Sequence, residues 1–122
     1  MSGAGLWLAV AALSGLGAVL RFLVDTSVTR RLGGRLPAGT ALVNASGCLV
    51  LGVLTGMAVG HGAALLLGAA LVGSYTTFST WVLETLVLVE GGRGPAALAN
   101  VAGQVLAGLA ASGAGWAVGA AM

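Results

Sequence analysis

The sequence predicts an all-α integral membrane protein with four transmembrane helices, and three observations carry that reading. Only 7% of the 122 residues are charged and 58% are hydrophobic, with a mean hydropathy of +1.06; soluble domains carry about 25% charged residues. The charges are also clumped, because residues 1–20, 36–83 and 94–122 have none. Finally, a helix needs about 20 apolar residues to cross the hydrocarbon core. Stretch 36–83 therefore has room for two crossings and the chain for four, within one domain spanning residues 1–122.

The first helix is expected over about residues 6–23, ending in the polar run Asp25-Thr26-Ser27. A basic loop over 25–38 follows, with Arg30, Arg31, Arg35 and Pro37. The second helix is expected over 40–59, closed by the turn Gly60-His61-Gly62, where His61 reads as a solvated loop residue. The third runs over 63–90, and "GGRGP" at 91–95 separates it from the fourth over 96–120. Met1–Leu20 lacks a basic start and runs on into a full-length span, so no separate signal peptide is expected.

Small residues four apart let helix backbones approach closely in a bilayer. Gly52-Gly56-Gly60, Ala107-Ala111-Gly115 and Gly115-Gly119 have that spacing and point to tight packing, though in so Gly- and Ala-rich a chain they name no interface. Cys48, the single cysteine, reads as a small apolar packing residue. Five Arg without Lys produce the net charge of +2, with no basic face for nucleic acid. One His, one Cys and three acids offer no enzymatic constellation.

Orientation follows from the arginines. Arg30, Arg31, Arg35 and Arg93 lie in the two loops on one side, and the opposite side has no Lys or Arg. The basic loops are thus expected in the cytoplasm and both termini outside, with Trp7 and Trp116 at the outer interface.

Polar side chains inside a span default to a functional hypothesis. Arg21 sits near the end of the first helix, where snorkelling to the interface explains it equally well. Asn44 is deeper and also fits interhelical hydrogen-bond glue. Asn100, Gln104 and Ser112, with Gly108 completing the row, form a polar stripe on one face of the fourth helix that faces protein or water. The densest group is "GSYTTFSTW" at 73–81, with five hydroxyls and three aromatics at mid-span. An unwound Gly73–Thr77 would leave helical pieces over 63–72 and 78–90, a known device for binding ions in membranes. A continuous helix whose hydroxyls bond back to their own carbonyls is the alternative, and the residues alone leave both open.

Three motifs in order, "GLGAVLRF" (15–22), "GTALVNASGCLVLG" (39–52) and "GSYTTFSTWVLE" (73–84), strongly resemble the Fluc/CrcB family of bacterial fluoride channels. The resemblance covers three of four helices, and TTFST is its most specific element. It implies a broken third helix in an antiparallel, dual-topology-type dimer in the bacterial cell membrane, with two fluoride pores. It also implies a structural sodium ion (Na+) held by the backbone carbonyls of Gly73 and Thr76 from both subunits. The implied pore residues are Asn44, Phe78, Ser79, Thr80, Glu84 and Arg21, with Asn100, Gln104 and Ser112 along the fourth helix.

Trp81 departs from the pattern, which has a second Phe there. It keeps an aromatic edge and adds an N–H donor, which would coordinate fluoride or, by its size, block the pore. The second subunit is either another copy of this chain or a paralogous one, and the four-to-zero Arg bias, which sets a single insertion direction, favours the paralogous partner. The rival reading is a small four-helix drug or cation exporter subunit, which needs a carboxylate within the first helix; Asp25 is expected only at its end.

Overall fold

The computed structural model describes residues 2–34 and 37–122, and among these it is all-helical. Helix α1 is Gly3–Leu32, α2 is Ala38–Gly56 and α3 is the single turn His61–Ala63. A π-helical segment Ala64–Val72 leads into α4, Gly73–Tyr75; α5 is Ser79–Glu90 and α6 is Gly94–Ala120. Four runs are long and apolar enough to cross a membrane: Gly3–Leu32, Ala38–Gly56, His61–Glu90 and Gly94–Ala120.

The first span is longer than expected at both ends. Ser2 caps its start, its hydroxyl accepting from Gly5 N–H at 3.1 Å. Asp25, Thr26 and Ser27 do not end it; the helix continues to Leu32, with Arg30 and Arg31 in its last turn, where cations complement the helix dipole. Gly33 then closes it in the left-handed conformation (φ 76°). At 30 residues the helix is about 45 Å long, more than the roughly 30 Å hydrocarbon core, so part of it extends beyond that core. Arg35 lies outside the described residues.

The second span stops earlier than residue 59, at Gly56. The reversal uses Ala58 at φ 53° instead of Gly60, with Ala58 N–H donating to Thr55 O at 3.0 Å and Val59 N–H to Leu54 O at 3.4 Å. His61 is consequently the exposed first residue of α3 and not part of the turn.

Helix α2 is the hub of the fold. It packs against α1, the π segment, α4, α5 and α6, and it contains the two most buried side chains, Val43 and Thr40. Helices α2 and α6 run parallel: Asn44 meets Gln104, Gly108 lies over Cys48, Gly52 over Ser112 and Gly56 over Trp116. Their backbones touch because four glycines meet. An added Cβ on Gly52 or Gly56 would collide with the carbonyls of Ser112 or Trp116, and one on Gly115 or Gly119 with those of Leu49 or Val53. Of the three small-residue rows read from the sequence, the first two glycines of one and the Gly115-Gly119 pair form this contact. Gly60 has open space around it, and Ala107 is exposed.

Helix α1 lies along the third span, also in parallel, with Gly17 against Leu71, Ser74 and Tyr75. Its far end crosses α2 where Gly39 abuts Asp25. Asp25 is therefore inside the first helix, not at its end. Apolar side chains elsewhere remain exposed, Trp7, Leu98 and Leu106 among them, as suits lipid-facing helices.

A methyl group at Gly119 would stand 3.0 Å from Met57 N and Val53 C. Gly119→Ala is expected to destabilise the protein by about 1–3 kcal/mol, read by equilibrium unfolding in mixed micelles. Gly113→Ala, with nothing within 4 Å of the added atom, should stay within about 0.5 kcal/mol of wild type. In the same assay Ala58→Gly should stabilise by about 1 kcal/mol by relieving the left-handed alanine.

Candidate functional site

Between α4 and α5 the backbone leaves the helical path. Gly73, Ser74 and Tyr75 stay helical, and Thr76 N–H still reaches Val72 O at 3.0 Å. Thr76 then adopts extended backbone (φ −77°, ψ 162°). Helical hydrogen bonding would next send Thr77 N–H to the Gly73 carbonyl; it goes to Asn44 Oδ1 instead, at 2.8 Å. Asn44 Nδ2 in turn donates to the Thr77 carbonyl at 2.8 Å. One carboxamide thus satisfies both backbone polar groups of a buried residue, neither of which has a helical partner.

The Thr77 side chain serves the next helix. Its hydroxyl accepts from Thr80 N–H at 3.2 Å and donates to Thr80 Oγ1 at 3.1 Å, a capping contact at the start of α5. Ser79 Oγ lies 3.5 Å from the same oxygen. On α2, Ser46 Oγ and Tyr75 Oη are 2.9 Å apart.

From Asn44 a chain of amides crosses to the fourth span. Asn44 Nδ2 donates to Gln104 Oε1 (3.4 Å), Gln104 Nε2 to Asn100 Oδ1 (2.8 Å) and Asn100 Nδ2 to Thr85 Oγ1 (2.9 Å). Thr85 donates to the Trp81 carbonyl at 2.8 Å, and Trp81 Nε1 donates back to the Asn100 carbonyl at 3.2 Å. Asn44, Gln104 and Asn100 each donate to the next residue in turn, so the polar stripe is a hydrogen-bonded row facing protein. Ser112, a half-buried residue, continues the face two turns beyond Gln104.

Other expected residues take different places. Arg21 Nη1 is 3.5 Å from the Thr76 carbonyl, a long contact that turns the guanidinium inward instead of toward the interface. Phe78 is exposed, and its ring meets Trp81 edge-on at 5.7 Å and 70°. Glu84 accepts from the Thr40 hydroxyl through Oε1, while Oε2 is buried without a partner among the described residues.

These residues line two cavities. The larger, about 780 Å³, is bounded by Asn44, Gly73, Thr76, Phe78, Trp81 and Gln104, with Cys48 and Ser112 farther along. The smaller, about 280 Å³, gathers Arg21, Asp25, Thr40, Ser79 and Thr80. Asn100 and Glu84 line neither. Thr77 lines both.

This arrangement occurs in a chain whose residues 8–116 match the family model described as CrcB-like protein, Camphor Resistance (CrcB). The chain belongs to the CrcB family. A relative from Mycobacterium tuberculosis, named fluoride-specific ion channel FluC 2, is 51% identical over 107 residues, covering 88% of this chain and 85% of the relative. A protein of the same name from Mycolicibacterium paratuberculosis is 50% identical over 92% of each chain. Fluoride-specific ion channel FluC 1 from Streptomyces avermitilis is 47% identical over 89% of this chain and 91% of its own length. The CrcB family is a channel family and not an enzyme family, and this CrcB chain is a multi-pass membrane protein.

Sequence reasoning did not single out Thr77 among the site residues, although it stands in the TTFST motif. Nor did it single out Thr40, which donates to Glu84, or Thr85, which accepts from Asn100. Nothing in the spacing distinguishes Thr77 from Thr76, because the difference lies in which peptide faces Asn44.

Asn44→Leu removes both Thr77 partners and leaves two buried backbone groups unsatisfied; at about 1–3 kcal/mol each, a loss of about 2–6 kcal/mol is expected. Asn44→Asp keeps the acceptor for Thr77 N–H and should lose less. Amide hydrogen exchange at Thr77 checks both: it should accelerate strongly in the Leu variant and only weakly in the Asp variant.

Proposed function

We propose that this chain is a subunit of a fluoride-selective channel through which fluoride leaves the cell passively, lowering cytoplasmic fluoride. The observation that carries the reading is the Thr76–Thr77 backbone, held off the helical path by Asn44 between two cavities that carry hydroxyl, amide and aromatic groups. The names of its relatives support the choice of ion.

Fluoride is small and strongly hydrated, so a conducting path must replace water with fixed donors in a constriction too narrow for chloride. Arg21 and the hydroxyls of Ser79 and Thr80 would receive the anion on one side of Thr77. The edges of Phe78 and Trp81, with Gln104 and Ser112, would carry it on the other. Asn44 contributes chiefly by holding Thr77, since its amide is engaged there.

The functional unit is proposed to be an antiparallel dimer with a pore on each side. Gly73 and Thr76, which both line the larger cavity, would supply carbonyls from each subunit to a central sodium. The Gly73 carbonyl fits that ion, because Thr77 N–H is diverted from it and a carbonyl freed from the ladder is the hard ligand sodium takes; the Thr76 carbonyl also lies 3.5 Å from Arg21 Nη1. Sodium would add positive potential for an anion at mid-membrane. The basic ends with Arg30, Arg31 and Arg93 would face the cytoplasm and both termini the outside, and the bias calls for a paralogous partner inserted the other way.

Asp25, now inside the first helix, meets the sequence requirement of the exporter reading, but it packs against Gly39 and is 3.4 Å from Thr29 Oγ1. Family membership decides against that reading.

Efflux from proteoliposomes tests the assignment. Fluoride should leave rapidly and chloride slowly, once the correct partner is present; equal passage of both ions would reject it. A tag on the C-terminus of the subunit expressed alone should be reached only from outside the cell, and equal populations on both sides would remove the case for a paralogous partner.

A further inference from the structure

The indole of Trp81 carries the one N–H that an aromatic box of phenylalanines would lack. Its geometry assigns that donor elsewhere than the pore. Trp81 Nε1 donates to the main-chain carbonyl of Asn100, and the carbonyl of Trp81 accepts from Thr85, which itself accepts from the Asn100 side chain. Two residues of α5 and one of α6 thereby close a ring of hydrogen bonds. The Asn100 amide oxygen that leaves this ring receives Gln104, and Gln104 receives Asn44, the residue that holds Thr77.

We propose that Trp81 is a positioning residue: its N–H pins α5 to α6 and sets the Asn100–Gln104–Asn44 row, while only its ring is left to the permeant ion. Its effect on Thr77 is transmitted through four side chains and requires no contact between the indole nitrogen and an anion. The part concerning conduction rests on the fluoride-channel reading above; the pin itself does not.

Indole ¹H–¹⁵N spectra of the full chain in detergent separate the two. The three indoles are assigned with Trp7→Phe and Trp116→Phe, both at exposed positions. The Trp81 proton should exchange with solvent much more slowly than the other two. Exchange as fast as theirs would refute the pin whatever the protein conducts. Adding fluoride should leave the Trp81 resonance in place, and a saturable shift would show the N–H binding the ion and overturn the proposal.

In proteoliposomes that pass fluoride, Trp81→Phe keeps an aromatic ring and should slow efflux about three- to tenfold, the weight of one neutral hydrogen bond. Gln104→Ala added to it should cost clearly less than the product of the two single effects, because both act on one row. Multiplicative effects would mean that Trp81 and Gln104 act independently, and would overturn it. Wild-type protein that passes no fluoride would instead refute the channel reading and leave the exchange result standing.

Discussion

The structure depends on one side chain replacing a helix's own hydrogen bonds. In hydrocarbon, a peptide unit without partners costs several kcal/mol, so non-helical backbone survives only where protein or a cavity satisfies it. Thr77 carries an N–H and a C=O without helical partners, and the carboxamide of Asn44 matches both, acceptor to N–H and donor to C=O. A carboxylate or a guanidinium offers only part of that match. Because Thr77 N–H is taken, the Gly73 carbonyl is released; because Thr77 is turned, its hydroxyl caps α5 and the two cavities meet at it.

That single contact needs α2 to be held in register with the third and fourth spans. Lipid supplies no hydrophobic drive between helices, so close van der Waals packing must do it. The reciprocal glycines of α2 and α6 bring the two backbones into contact, and this parallel register places Asn44 at the level of Gln104. Gly17 does the same for α1 and the third span, which puts Arg21 level with the Thr76 carbonyl. The amide row along α6 then finds partners at each turn and leaves neither Asn100 nor Gln104 facing lipid.

Much of this was legible from the chain. Charge-free stretches mark four spans because lipid tolerates little else, and the three motifs name the family because their order and residues are specific. Helix ends were read less well. Asp25-Thr26-Ser27 looks like a terminus, yet α1 runs seven residues past Asp25 to Leu32, and Gly60 looks like a stop, yet Ala58 takes the left-handed position. The first helix ends only where Gly33 turns left-handed, and at Ala58 the turn uses a conformation that alanine rarely adopts, so residue type does not mark either end. The π-helical turns of Ala64–Val72 have no signature in their plain apolar residues.

The sequence by itself determined the class of molecule, the number of its spans, the family and the depth at which polar groups sit, since each follows from transfer into lipid or from a linear motif. It also marked Trp81 as the departure from the family pattern. Only the tertiary structure decided how the donors are used: that Asn44 holds a peptide, that Arg21 turns inward and that the indole N–H is committed to Asn100. A donor's partner is a matter of ångström-scale register between helices far apart in the chain, and no local pattern encodes it.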